Sequence, residues 1–272
     1  MSLGERPLVI GILNVTPDSF AETLPKLDPA VAIEAGLQME AEGADLVDVG
    51  GESTRPGAEP VSAADELRRV LPVLRGLAGR IRIPLSIDTY KAEVARAAID
   101  AGAAVVNDVS GLRYDPALAQ VAADAGAALV LMHTRGRSNI MYAEARYDDL
   151  LTEVIGELRE SIGVATAAGV TLDRIIVDPG VGFAKRPIHS YGVLARLPDL
   201  ASALGRPVMV GPSRKSFMRE ALGGRPAWER DWGTAAAVTA AVLAGAHMVR
   251  VHAVAAMTEV VRVAEEIRRQ AT

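Results

Sequence analysis

The stretch Ala44-Asp-Leu-Val-Asp-Val-Gly-Gly-Glu-Ser-Thr-Arg-Pro-Gly-Ala58 decides how the chain is read. Leu46, Val47 and Val49 make a short apolar run of the kind found in strands buried on both faces. Gly50 and Gly51 then allow a sharp turn and a close approach of backbone. Glu52, Ser53, Thr54 and Arg55 follow, closed off by Pro56-Gly57. Hydroxyls beside a guanidinium at a strand end suit an oxyanion such as phosphate, but the same residues also make an ordinary polar turn. Recurrence along the chain decides between the two.

Working outward, short β-branched runs alternate with longer helical segments. Gly43, Gly102, Gly126, Gly169 and Gly245 mark the joins, each where a helix would end in a left-handed residue. Strands are expected at Leu8–Asn14, Asp45–Val49, Ile83–Ile87, Ala104–Val109, Ala127–Met132, Arg174–Val177, Pro207–Val210 and His247–Val251. Asp28-Pro29 and Asp115-Pro116 read as helix starts, and Ser62 with Asp65 reads as a capping box. The longest helix is expected over Asp148–Ala168 and the last over Ala256–Gln270. Eight β-then-α units within 272 residues point to an α/β fold, a (β/α)8 TIM barrel in a single domain, 1–272. An open doubly wound sheet is the alternative. It would favour a glycine-rich fingerprint after the first strand, where this chain has Asn14-Val-Thr-Pro-Asp-Ser-Phe20.

Half of the residues are hydrophobic, the formal net charge is −5 and there is no cysteine. Disulfides and cysteine-based metal sites or nucleophiles are excluded, and no overall basic field recruits nucleic acid or an acidic membrane. Met1–Pro7 lacks the apolar core of a secretory signal. The alanine-rich Thr234–Ala246 is too short and small-chained for a membrane span, so a soluble cytoplasmic protein is expected.

The strand ends carry the chemistry, because in a barrel they converge on one mouth. Read in order they are Asn14; Glu52, Thr54 and Arg55; Asp88; Asn107 and Asp108; His133; Asp178; Ser213, Arg214 and Lys215; and Arg250 with His252. Singly, Asp88 reads equally as a helix cap, Asn107-Asp108 and Asp178-Pro-Gly as turns, and His133 as a packing residue. Jointly they favour a ligand. Asn14, Arg55, Arg250 and His252 lie on strands that become neighbours on closure and suit a diphosphate, with Asn14 an oxygen ligand to a bridging magnesium. Asp88, Asn107, Asp178 and Lys215 can bind the donor–acceptor edge of a flat nitrogen heterocycle. Met132 and Phe183 either cover its faces or belong to the core.

Together, Asn14-Val-Thr-Pro-Asp-Ser-Phe20, Gly50-Gly-Glu-Ser-Thr-Arg-Pro-Gly57, Ile87-Asp-Thr89, Asn107-Asp-Val-Ser-Gly111, Leu131-Met-His133, Asp178-Pro-Gly-Val-Gly-Phe183, Ser213-Arg-Lys-Ser-Phe217 and Arg250-Val-His252 resemble the dihydropteroate synthase family. The resemblance runs from the first strand to the last. It implies a (β/α)8 barrel that joins 4-aminobenzoate to 6-hydroxymethyl-7,8-dihydropterin diphosphate, a magnesium-assisted transfer in folate biosynthesis. By position, Asp88, Asn107, Asp178 and Lys215 would hold the pterin. Asn14, Thr54, Arg55, Arg250 and His252 would hold diphosphate and magnesium, while Pro56, Ser213 and Arg214 would border the aminobenzoate. Lys215, Asp88 and Arg250 would carry the catalysis.

Such a reaction needs leaving-group stabilisation and positioning more than a protein nucleophile. The resemblance also implies a homodimer through the last helices. The chain departs from the family where Phe20 meets Ala21-Glu22-Thr23 instead of Ser-Asp-Gly-Gly, and where Ala253 stands for an aspartate after His252. Both departures imply weaker capture of aminobenzoate. A pterin binder without efficient turnover and a pterin-dependent methyltransferase remain alternative readings.

Overall fold

The computed structural model describes residues 4–16, 28–55, 57–143 and 145–271. Among these residues, eight strands form one parallel sheet in the order β6-β5-β4-β3-β2-β1-β8-β7. They are β1 (Leu8–Asn14), β2 (Leu46–Gly50), β3 (Leu85–Asp88), β4 (Ala103–Asp108), β5 (Ala128–Met132), β6 (Ile175–Asp178), β7 (Met209–Val210) and β8 (Met248–Val251). The two ends of that order meet. Val177 bridges Val208, and the Val177 N–H donates to the Pro207 carbonyl at 2.9 Å, which closes the expected barrel.

The helices between them are α1 (Pro29–Ala41), α2 (Ala63–Leu77), α3 (Ala92–Asp100), α4 (Ala117–Ala125), α5 (Leu150–Ala167), α6 (Pro187–Ala195), α7 (Leu197–Leu204), α8 (Asp231–Leu243) and α9 (Val254–Arg269). Their starts are made by side chains visible in the sequence. Asp28 accepts from the Ala30 N–H, Ser62 from Asp65 and Asp149 from Thr152. Asp115 does this twice, taking the Ala117 N–H at the start of α4 and the Ala92 N–H at the start of α3. Asp88 is therefore not needed as a cap.

Alternation along each strand divides the core. Leu8, Ile10, Leu46, Val105, Val130, Ile176, Met209 and Met248 pack on one another inside the barrel, and their neighbours Val9, Val47, Val106, Leu129, Leu131, Val177 and Val249 pack under the helices. One step further along, the inward positions turn polar: Asp48, Asn107, Asp178 and Arg250. The barrel is thus an apolar plug below and a charged bowl above.

Strand boundaries differ from the sequence reading where a backbone group is taken elsewhere. The Arg82 and Ile83 N–H groups donate to Glu40, so β3 starts at Leu85. Arg174 ends a 3-10 turn, and Pro207 has no N–H to pair. Gly50 and Gly51 also differ in role, since neither has a positive φ. They supply room: a Cβ on Gly51 would lie 2.7 Å from Val70 Cγ1. The loop beyond Thr16, with its departure after Phe20, lies outside the described residues, as does Pro56.

Met248 is fully buried in the inner plug. Met248→Ala should cost about 2–5 kcal/mol of unfolding free energy through lost contacts and the residual cavity, read from urea denaturation midpoints.

Candidate active site

Asp88 ends β3 and Asn107 lies opposite it on β4. Arg250, from β8, reaches across the bowl. Its Nη2 donates to Asp88 Oδ2 at 2.7 Å and its Nε to Asp48 Oδ2 at 2.6 Å. Asn107 Nδ2 donates to the same Asp48 oxygen at 2.8 Å. Asp48 was not singled out in the sequence, because it stands within an apolar run and its partners lie far away in the chain. Asp88 has a raised pKa despite its ion pair: burial disfavours the carboxylate, and Arg250 divides its charge with Asp48. Arg250 thereby joins the two groups that the sequence kept apart.

On the opposite wall, Asp178 ends β6 and accepts from the Gly180 N–H at 2.7 Å. Gly180 has φ +68°, and a Cβ there would lie 1.9 Å from the His133 carbonyl, so only glycine lets the Asp178-Pro-Gly turn pass β5. Burial raises the Asp178 pKa, with Lys215 acting against it. Lys215 Nζ donates to the Val181 carbonyl at 2.7 Å and lies 4.4 Å from the Phe183 ring centre. Burial brings its pKa down to about 8, while Asp178 opposes the fall. Met132 is buried with Tyr90 and Val109, and Phe183 packs on that cluster. Asp108 takes the turn role, accepting from the Ser110 and Leu112 N–H groups, which leaves Asn107 to the bowl.

The side expected from the sequence to take an anion is built from β1, β2 and β8. The Asn14 oxygen and Asp88 both lie beside Gly50, 3.5 and 3.4 Å from where its Cβ would be. Thr54 lines a small cavity with Tyr90, Tyr114, Met141 and Phe183. Its loop is anchored through Glu52, which accepts from Tyr90 Oη at 2.8 Å, from the Val61 N–H at 3.2 Å and from Lys91. Arg55 is exposed. His252 Nδ1 lies 2.9 Å from Ser213 Oγ, which also accepts from the His252 N–H, so Ser213 is grouped with the anion side. Burial, then the charges of Arg214, Arg250 and Arg55, lower the His252 pKa to about 3. The Arg214 side chain makes a two-pronged pair with Asp231 at 2.7 and 2.8 Å. Ser216 and Tyr142, bonded at 2.9 Å and not named from the sequence, line a groove of about 410 Å³ with Arg186, Phe217 and Arg219.

A protein-family profile described as "Pterin binding enzyme" matches residues 10–252, and the chain belongs to that family. Several of its relatives carry one activity in their names. The chain is 47% identical to the dihydropteroate synthase of Mycobacterium leprae, over 94% of this chain and 91% of that protein. It superposes on the Xanthomonas albilineans dihydropteroate synthase with 4-aminobenzoic acid at a TM-score of 0.90, with 43% identity, covering 98% of this chain and 94% of that one. The Burkholderia cenocepacia dihydropteroate synthase complexed with 7,8-dihydropteroate gives 0.88 and 41%, covering 98% and 93%.

Beside Asp178 lies a buried amine that also borders the groove at Ser216. Lys185 is buried, with Nζ 2.7 Å from His133 Nδ1 and 3.2 Å from the Phe183 carbonyl. His133 is thus a packing residue with a partner that the sequence did not reveal. Burial lowers the Lys185 pKa from 10.5 to about 7, although Asp178 pulls it up. Between those values the unfolded chain holds the extra proton, so stability should rise with pH through that window. The slope contributed is up to ~1.4 kcal/mol per pH unit. Urea unfolding of Lys185→Met across the same range should lack this rise; an identical slope in parent and variant would show the amine to be protonated in the fold.

Proposed function

We propose that this chain is a working dihydropteroate synthase, joining 6-hydroxymethyl-7,8-dihydropterin diphosphate to 4-aminobenzoate and releasing diphosphate. The observation that carries this is the bowl itself: acceptors from Asp88, Asn107 and Asp178 and a half-buried ammonium, Lys215, face one another beside an anion side of Arg250, Arg55 and His252. A flat heterocycle with both donors and acceptors satisfies the first set. Diphosphate satisfies the second.

The bond to diphosphate breaks, and positive charge grows on the pterin methylene before the arylamine nitrogen closes on it. Asp88 and Asp178, held in the bowl, favour that cation electrostatically. Arg250 takes the charge of the leaving group, and the neutral His252 imidazole offers it a hydrogen bond. The apolar walls formed by Met132 and Phe183 keep water from the methylene, which would otherwise be hydrolysed. The groove at Ser216, Arg186 and Arg219 offers a hydroxyl and two cations to the carboxylate of aminobenzoate.

Among the described residues, no cluster of three or more carboxylate or imidazole groups could cage a metal. That suits magnesium, which keeps several waters and binds through one or two side chains and substrate phosphates. Asn14 would hold it, and the ion would neutralise charge on the leaving diphosphate.

The reading extends to a homodimer. Trp232 on α8 is 85% exposed, and Leu243, Val263 and Ile267 are exposed on α8 and α9, a set of apolar side chains that a second copy would cover. Light scattering at micromolar concentration should report twice the chain mass; a monomer would overturn the dimer. Among the described residues no helix is long and apolar enough to cross a membrane. A charged diphosphate substrate supports a cytoplasmic site of action.

Incubation with pterin diphosphate, magnesium and labelled 4-aminobenzoate should yield labelled dihydropteroate. Binding without product would favour the non-catalytic pterin binder. Asp178→Asn removes an acceptor from a buried N–H, which costs roughly 1–3 kcal/mol. Pterin affinity by calorimetry should accordingly fall about tenfold or more. Unchanged affinity in a folded variant would remove Asp178 from the site.

A further inference from the structure

Asp48 has no part in the reading above, yet it lies at the base of the bowl. Register pairs it with Ile12 and Ser86, one inward step below the layer that holds Asp88 and Asn107. Its side chain is 1% exposed. One oxygen, Oδ2, accepts from both Asn107 Nδ2 and Arg250 Nε, while the other, Oδ1, has no hydrogen-bond partner. A buried carboxylate with an unpaired oxygen forgoes part of its hydration without recovering it. A packed apolar residue would serve folding better at such a position.

What the carboxylate does supply is direction. A carboxylate only accepts, so Asn107 must turn its Nδ2 toward Asp48. The amide then has its oxygen and its second N–H left for a ligand in the bowl. The same oxygen fixes the Nε edge of Arg250, whose Nη2 is thereby left to Asp88.

We propose that Asp48 is a positioning residue of the pterin site, fixing the orientation of the Asn107 amide and so selecting a ring whose edge matches it. The inference rests on the reading of Asn107 as a pterin contact. Asp48 acts through Asn107 and does not itself touch the reacting atoms.

Asp48→Asn tests this with almost no change in size. An amide there either donates or accepts, so Asn107 can take both orientations, while Arg250 keeps Asp88. Calorimetry with 6-hydroxymethylpterin should show affinity lowered about tenfold, equivalent to ~1.4 kcal/mol. Inorganic diphosphate should bind within about twofold of the parent, and the melting temperature should hold or rise because a buried, half-paired charge is gone. In an Asn107→Ala background, Asp48→Asn should cost little further pterin affinity, since the amide it orients is absent.

A merely structural Asp48 would move everything together. A parallel fall in pterin affinity, diphosphate affinity and melting temperature, or a failure to fold, overturns the proposal. So does full additivity with Asn107→Ala. A parent that binds pterin while Asp48→Asn binds it equally well overturns this inference alone. A parent that does not bind 6-hydroxymethylpterin overturns the pterin reading and takes this inference with it.

Discussion

One guanidinium shared by two carboxylates orders the polar layer of the barrel. Arg250 reaches from β8 past β1 to Asp48 on β2 and Asp88 on β3, so a single side chain fastens three strands at the level where the core stops being apolar. Two anions against one cation leave the bowl with surplus negative charge, relieved in part by protons and by Lys215 across the way. Below that level the barrel is held by contacts between aliphatic side chains, and above it by directed hydrogen bonds. On β2, β4, β6 and β8 the transition falls within one inward step. Placing the polar layer lower would remove the plug that excludes water, and placing it higher would leave charges in solvent, where they discriminate weakly.

Much of this was legible from residue order. Short β-branched runs, glycine joins and Asp-Pro or Ser-x-x-Asp starts reproduce the order of the elements, because each depends on neighbours a few residues apart. Asn14, Asp88, Asn107, Asp178, Lys215 and Arg250 could be named because each ends such a run, and the parallel sheet brings run ends together. Asp48 and Lys185 were not legible. Asp48 stands inside a run read as wholly buried, and its partner Arg250 is 202 positions away. Lys185 follows Phe183 closely and looks like a solvated lysine; only the tertiary approach of His133 shows otherwise. Ser213 and Arg214 teach a related lesson. Adjacent in sequence, they go to His252 and Asp231, because a positive φ at Arg214 turns the chain between them.

The loop after β2 illustrates how a motif divides its labour. Glu52 looks like a candidate for chemistry, but Tyr90, Lys91 and the Val61 N–H occupy it. Thr54 and Arg55, two and three residues later, carry no such ties in their side chains among the bonds described, and stay near the cavity and His252. The anchor and the untied end are therefore separate residues of one short segment. A loop so built is fixed at its base and adaptable at its tip.

The seam between β6 and β7 has a consequence for motion. Every other neighbouring pair is joined by a ladder of two or more residue pairs, whereas this one has a single bridge, at Val177 and Val208. Local opening is least costly where the fewest ladder bonds must break. Asp178 continues one lip of that seam and Lys215 follows the other, so slow amide exchange along the rest of the barrel would coexist with faster exchange here. The two residues with the most to gain from a ligand stand on the edges of the barrel's weakest joint, and a molecule gripping both would act as its missing rungs.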